Sequence, residues 1–341
     1  MIPRTPGLRR GQDPGTVHED AVKTDFKKAT TFTADTAFMT GEPNHRRLPE
    51  GEEIFLDHIG HFVAAAEPAS RALERAGFAP TPPSIQFDAA ARLTGTGNVT
   101  AMLGEGYIEV LFQTADTALG RQFAAALSRH AGIHLAAFAV ADATRAHARL
   151  SAAGFRMLPL AKMERGVATA SGNAAAAFSV VRVEPGVMPE GRIQMLTHHT
   201  EEAVWQERWL SHPNTATALI DVVIAVTDVQ EAAGRFGRFC GRAAEQINGG
   251  AIVRLDRGAV VLVGRDALAS LLPEVPVPAL PFMAGYAIGV QSLQSATAIV
   301  QRARLPWRAF AGGIVASLPD ELGVGAFIFV ESAAALPWRR S

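Results

Sequence analysis

Residues 55–63 read FLDHIGHFV, and the same kind of stretch returns as GIHLAAFAV at 132–140, LIDVVIAVT at 219–227 and MAGYAIGVQ at 283–291. Each has the length and the apolar or alternating pattern of a buried strand. The segments downstream of these strands repeat as well. After the first comes an Ala/Glu/Arg segment closing at Ala76-Gly77, which reads as a helix with a C-terminal glycine, and then strand-like runs at 84–88, 98–104 and 106–113. The second is succeeded by a helix from Asp142 to Ala153 that stops at Gly154, with strands predicted near 155–160, 175–183 and 191–197. The third precedes a helix to Gly241 and strands near 244–248, 251–256 and 259–264. The fourth precedes a helix at 293–304 and strands near 307–316 and 325–331.

A strand, a helix and a run of strands, repeated in this way, exclude a doubly wound sheet, in which strand and helix alternate strictly. The fold class is therefore α+β with mostly antiparallel ribbons. One βαβββ-type module alone exposes an apolar sheet face and unpaired edges. Pairing modules into two curved eight-stranded sheet domains buries them and makes a cleft. The expected organisation is a flexible extension over 1–50, modules one and two with the cleft over 51–216, and modules three and four over 217–341.

LDHIGHFV, GYIEVL and GRIQML, in the first strand of module one and the last strands of modules one and two, resemble the metal-bearing strands of the glyoxalase-like branch of the vicinal oxygen chelate superfamily. The stretch MLTHHTEEAVWQERWLSHPN resembles the segment that joins the paired modules to the rest of the chain in glyoxalase-like domain proteins. The resemblance implies a cleft in which first and last strands of two modules bring four side chains to one divalent ion such as Zn, Ni, Mn or Fe. On that basis His58 and Glu109 are the candidate ligands from module one, and Gln194 and His134 those from module two. Glu109 is also the candidate catalytic group, able to leave the ion and shuttle a proton. The implied activity is a metal-dependent lyase, isomerase or ring-opening reaction on a small oxygen-rich substrate. The alternative is a metal-free binding or resistance protein on the same fold.

Strand parity refines these assignments. His58 and His61 are three apart and point to opposite faces of an unbulged strand, so only one lines the cleft. Glu109 shares its face with Tyr107 and Leu111, and an unpaired buried carboxylate there would be costly. Gln194 stands where a Glu ligand is expected, and an amide oxygen is a poorer ligand and no base. Counting back from Val140 puts Leu135, not His134, on the ligand position, unless a bulge restores His134. His198, His199, Tyr107 and Arg208 are the candidate substrate-binding residues, with His198 and His199 at the cleft mouth or, alternatively, at a polar strand end before a helix capped by Thr200.

All ten histidines lie at or before position 212, so modules three and four cannot copy the C-terminal iron site of four-module extradiol dioxygenases. Asp221 and Tyr286 fall near the corresponding positions without evident partners, which suggests a structural half or a metal-free pocket. Net charge is −1, with no block of like charge to attract nucleic acid. Cys240, the single cysteine, reads as a buried apolar thiol in a reducing compartment. Neither a secretory signal nor an apolar run of about 18 residues is present, so the expected protein is soluble and cytoplasmic, a monomer or homodimer acting on a small molecule. Gly95-Thr96-Gly97-Asn98 reads as a turn between strands that could bring backbone to the cleft.

Overall fold

The computed structural model describes residues 47–88 and 92–340. The expected extension over 1–50 lies, up to residue 46, outside the described residues. Module one comprises β1 (Ile54–Phe62), α1 (Ala66–Arg75), β2 (Ser84–Asp88), β3 (Leu93–Met102) and β4 (Tyr107–Gln113), and α2 (Ala118–Leu127) leads out of it. Module two comprises β5 (Gly132–Val140), α3 (Ala143–Ala152), β6 (Ala161–Thr169), β7 (Gly172–Arg182) and β8 (Arg192–His198), then the short α4 (Glu201–Val204). Module three runs from β9 (Ala216–Ala225) through α5 (Val229–Cys240) to β10 (Ala244–Ile247), β11 (Gly250–Arg254) and β12 (Ala259–Val263), with α6 (Arg265–Leu271) after it. Module four is β13 (Phe282–Val290), α7 (Leu293–Arg302), β14 (Trp307–Phe310), β15 (Gly313–Ser317) and β16 (Ala326–Val330).

The helix starts recur for a chemical reason. Asp142, Asp228 and Ser292 sit immediately before α3, α5 and α7, and each accepts hydrogen bonds from first-turn amides that have no partner inside the helix. Gly241 closes α5 in the left-handed conformation, at φ 62°.

Modules one and two close into a barrel in the order β1-β4-β3-β2-β6-β7-β8-β5. The seam is short, with Phe87 opposite Glu164 and Asp88 opposite Met163. Modules three and four form an open sheet in the order β10-β11-β12-β9-β13-β16-β15-β14. In each sheet the first strands of the two modules run antiparallel side by side, and each first strand lies parallel to its own module's last strand. The outer faces of both sheets share one apolar core that includes Leu56, Ile59, Phe138, Val222, Phe327 and Phe329. The described residues accordingly form one compact unit.

Four glycines set the modules in register. Gly106, Gly191, Gly258 and Gly325 each precede a last strand at positive φ, and a Cβ on them would lie 2.8, 2.4, 2.7 and 3.2 Å from the carbonyl oxygens of Asp57, His134, Ile220 and Ala284. That close approach fixes which residues correspond. His58, Leu135, Asp221 and Gly285 occupy the same first-strand position, and Glu109, Gln194, Val261 and Ile328 the same last-strand position.

Several sequence expectations shift. The strand expected near 155–160 is only a bridge from Met157 to Val183, and the module continues instead into the long β6–β7 ribbon. Gly95–Asn98 lies within β3, where a Cβ on Gly97 would strike the Phe112 ring at 2.7 Å and the Ser84 carbonyl at 2.8 Å, so these glycines permit close strand packing. The strand near 307–316 is a hairpin turning at Gly312, at φ 84°. α2 and α6 lie between modules, outside the repeated pattern. Among the described residues no helix is long and apolar enough to cross a membrane.

Candidate functional site

The barrel keeps a cleft of about 70 Å³ on its concave side, within a solvent-continuous envelope of about 680 Å³. Its floor is apolar: Leu111, Leu135, Val180 and Leu196 line it, above Phe62 and the Phe123 that α2 inserts. Alternation places Tyr107, Glu109 and Leu111 of β4 on this face while Ile108 and Val110 enter the shared core. On β8 the same rule sends Arg192, Gln194 and Leu196 into the cleft and Ile193 and Met195 away from it.

His58 and Glu109 meet here, with Nε2 and Oε2 3.6 Å apart. Behind His58 stands Asp57, whose Oδ2 is 2.8 Å from Nδ1. Asp57 also holds the Nε2 of His198 at 3.0 Å through its other oxygen. Burial alone would raise the Asp57 pKa, but the charge and hydrogen bond of His198 and those of His58 outweigh it and hold the carboxyl well below its usual range. An ionised Asp57 accepts from the Nδ1–H of His58, so Nε2 is the ring atom left facing the cleft. Tyr107 stacks on the His58 ring at 4.4 Å and fixes its plane.

Glu109 is held by amides. Asn98 donates to its Oε1 at 2.5 Å and Gln86 at 3.4 Å, Thr96 in turn donates to Gln86 at 2.8 Å, and Arg165 donates to the Asn98 carbonyl at 3.4 Å. One carboxylate oxygen is thus engaged while the other faces His58.

Module two presents a different chemistry. Gln194, Arg182 and Arg192 line the cleft, and among the described residues none of their side chains has a hydrogen bond or ion pair within the protein. Arg192 lies 5.2 Å from the Phe62 ring centroid. Its pKa is pushed down to about 10 by burial and by the like charge of Arg182, with Glu109 acting the other way.

The remaining sequence candidates lie elsewhere. His134 turns its Nε2 to the His130 carbonyl at 2.8 Å and packs on the His130 and Phe62 rings, while Leu135 takes the cleft position, so no bulge carries His134 in. His61 faces the other sheet, 2.9 Å from the Tyr286 hydroxyl and 3.1 Å from the Leu322 carbonyl. His198 is buried behind His58 rather than at the mouth, and His199 pairs with Ser179 at 2.8 Å. Arg208 donates to the Ala168 carbonyl and covers Trp209, outside the cleft. Tyr286 does not take the fourth first-strand position, which falls on Gly285.

Residues 56–240 match the glyoxalase-like domain family. The chain belongs to that family. The sheets of this glyoxalase-like protein have the α+β vicinal oxygen chelate fold. A hypothetical protein from Staphylococcus aureus superposes with a TM-score of 0.56 at 11% identity, over 81% of this chain and 98% of its own. A mutant 4-hydroxymandelate synthase from Streptomyces coelicolor gives 0.51 at 16% identity, over 82% and 94%. A xylose isomerase-like TIM barrel/4-hydroxyphenylpyruvate dioxygenase fusion protein gives 0.53 at 11% identity, over 84% of this chain and half of the fusion. At such identities the likeness is one of fold. No curated protein matches the sequence.

The four positions that the resemblance assigns to metal ligands fall, by the glycine register, on His58, Glu109, Leu135 and Gln194. Resident catalytic ions ordinarily take three strong protein donors, and here Leu135 offers none and Gln194 only an amide oxygen. Among the described residues no group of three or more His, Cys, Asp or Glu could hold an ion. Arg182 and Arg192 add positive charge to the same cavity. The donor set does not fit a resident divalent ion.

Asp57, Gln86, Arg165, Arg182 and Arg192 carry no signal of their own in the sequence reading, and Asn98 enters it only as the end of a turn whose backbone could reach the cleft. Arg192 was the most accessible of these: it lies two residues before Gln194 in GRIQML and therefore shares its face.

Proposed function

We propose that the cleft binds a small oxygen-rich molecule and moves a proton on it, an isomerase- or lyase-type reaction run by Asp57 and His58 without a resident metal. The observation that carries this reading is the 2.8 Å contact of Asp57 with His58 Nδ1, which leaves Nε2 as an acceptor toward the cavity. His58 takes a proton from carbon next to a carbonyl, and the bond's electron pair moves onto the carbonyl oxygen. The unengaged amide of Gln194 donates to that oxyanion. On a hydroxyketone, return of the proton to the former carbonyl carbon, while the hydroxyl proton crosses to the other oxygen through Glu109, completes an isomerisation; departure of a group from the carbon next to the carbanion, taking the proton held by His58, completes an elimination. Glu109, steadied by Asn98 and Gln86, sits beside His58 to relay the proton. The buried Cys240 and the balanced charge support action on free small molecules in a reducing cytoplasm, by a monomer or homodimer.

Proton NMR in D₂O of a panel of 2-oxo acids, 2-hydroxy acids and hydroxyketones tests this. The wild type is expected to exchange an α-hydrogen of at least one compound, and His58→Gln and Asp57→Asn to slow it by about 100-fold or more. Exchange unaffected by His58→Gln, or none across the panel, overturns the proposal. Stabilisation by a ligand without exchange marks the binding-protein alternative.

The metal-dependent reading with Zn, Ni, Mn or Fe draws support from one observation, the 3.6 Å between His58 Nε2 and Glu109 Oε2 with Asp57 behind the ring. Elemental analysis after growth with added metals decides it. A stoichiometric ion that disappears in His58→Gln would restore that reading.

A further inference from the structure

The two modules furnish the cleft with opposite chemistry, and module two's share is unsatisfied. Arg182 and Gln194 are cross-strand partners on β7 and β8, and Arg192 is two residues along β8 on the same face. Cross-strand and diagonal neighbours on one face stand roughly 5–8 Å apart, within reach of a single small ligand. The Arg182 Nε is buried without a hydrogen-bond partner, and Arg192 has no carboxylate in ion-pair contact among the described residues. Two guanidinium groups that line one cleft partly out of water are costly unless an anion joins them. Two other arginines show the usual remedy: Arg235 holds Glu190 at 2.7 Å and Arg339 holds Asp221. For the cleft pair, no carboxylate among the described residues comes within ion-pair distance, and Glu109 acts on Arg192 only across the cleft.

We propose that Arg182 and Arg192, beside Gln194, form a receptor for the anionic head of the substrate, a carboxylate or phosphate carried by a small molecule. Guanidinium forks match the paired oxygens of such groups. An anion seated on module two leaves the rest of the molecule toward His58 and Glu109 on module one. This deepens the proton-transfer reading and rests on it for the term substrate, although anion binding is measurable without turnover.

Thermal shift and calorimetry with pyruvate, lactate, inorganic phosphate and the uncharged pyruvamide test the receptor. Pyruvate, lactate or phosphate is expected to stabilise the wild type while pyruvamide does not, and the better of the carboxylate and phosphate arms identifies the head group. Arg182→Met and Arg192→Met are expected to weaken that binding at least tenfold, while His58→Gln binds the anion normally and loses only proton exchange. Because each Met variant removes an unpaired cation, its melting temperature without ligand should equal or exceed that of the wild type, which separates a binding role from a structural one. No stabilisation by any of the anions, or binding unchanged in both Met variants, overturns the receptor even if exchange at His58 is found.

Discussion

The two sheets share one plan and use it oppositely. In the first, the concave face stays open and carries His58, Glu109 and the arginines. In the second, residues 336–338 pack over that face: Leu336 and Trp338 join Val223, Val261 and Ile328 in one apolar cluster, and α6 adds Leu268. Asp221, the counterpart of His58, is bound by the Trp338 indole at 2.7 Å and by the Arg339 guanidinium. The other corresponding positions, Val261, Gly285 and Ile328, carry no ionisable group. A curved sheet of this kind thus offers a place for chemistry without dictating any. Whether the place is a site depends on what side chains line it and what covers it.

The largest effect expected from disturbing this contrast falls on the second sheet. Trp338→Ala removes a buried indole and leaves a cavity, at a cost of about 3–5 kcal/mol in urea unfolding. Proton exchange at the first cleft should be unchanged, and its loss would show that the second sheet belongs to the site.

Acid should next weaken the contact between the halves. His61 bridges from β1 to Tyr286 and Leu322, and burial lowers its pKa to about 4. The unfolded chain takes up this proton near pH 6.5 and the folded chain only near 4, so the unfolded state binds more protons between them and stability falls as pH drops through that window. The loss is on the order of 3 kcal/mol, and His61→Gln should make the pH dependence of unfolding shallower.

A smaller effect is expected from completing the ligand set. Leu135→His with Gln194→Glu supplies module two with the donors that module one already has. Zinc or nickel affinity should rise at least tenfold by calorimetry. No gain would mean that the glycine-based correspondence between modules does not place these side chains together.

Much of this fold is written in period. The strand-like repeats, the glycines closing the helices and the parity of Tyr107, Glu109 and Leu111 gave the modules and one wall of the cleft, because alternation is a local property of a strand. Counting along β5 also pointed to Leu135 instead of His134, and the structure has Leu135 in the cleft. Local pattern could not foresee that His198 reaches Asp57 from 141 residues away, that Asn98 turns from an apparent turn toward Glu109, or that Arg208 folds onto its own neighbour. Those depend on which strands become neighbours.

The sequence alone settled the repeat, the α+β class and the faces of individual strands, since each is set by steric and hydrophobic constraints acting over a few residues. Only the tertiary structure decided that one concave face carries the His58–Glu109 pair while Trp338 packs over the other, and that two arginines share the cleft without an ion-paired carboxylate. Burial and charge pairing are set by groups remote in sequence, and their energies exist only once the sheets have closed.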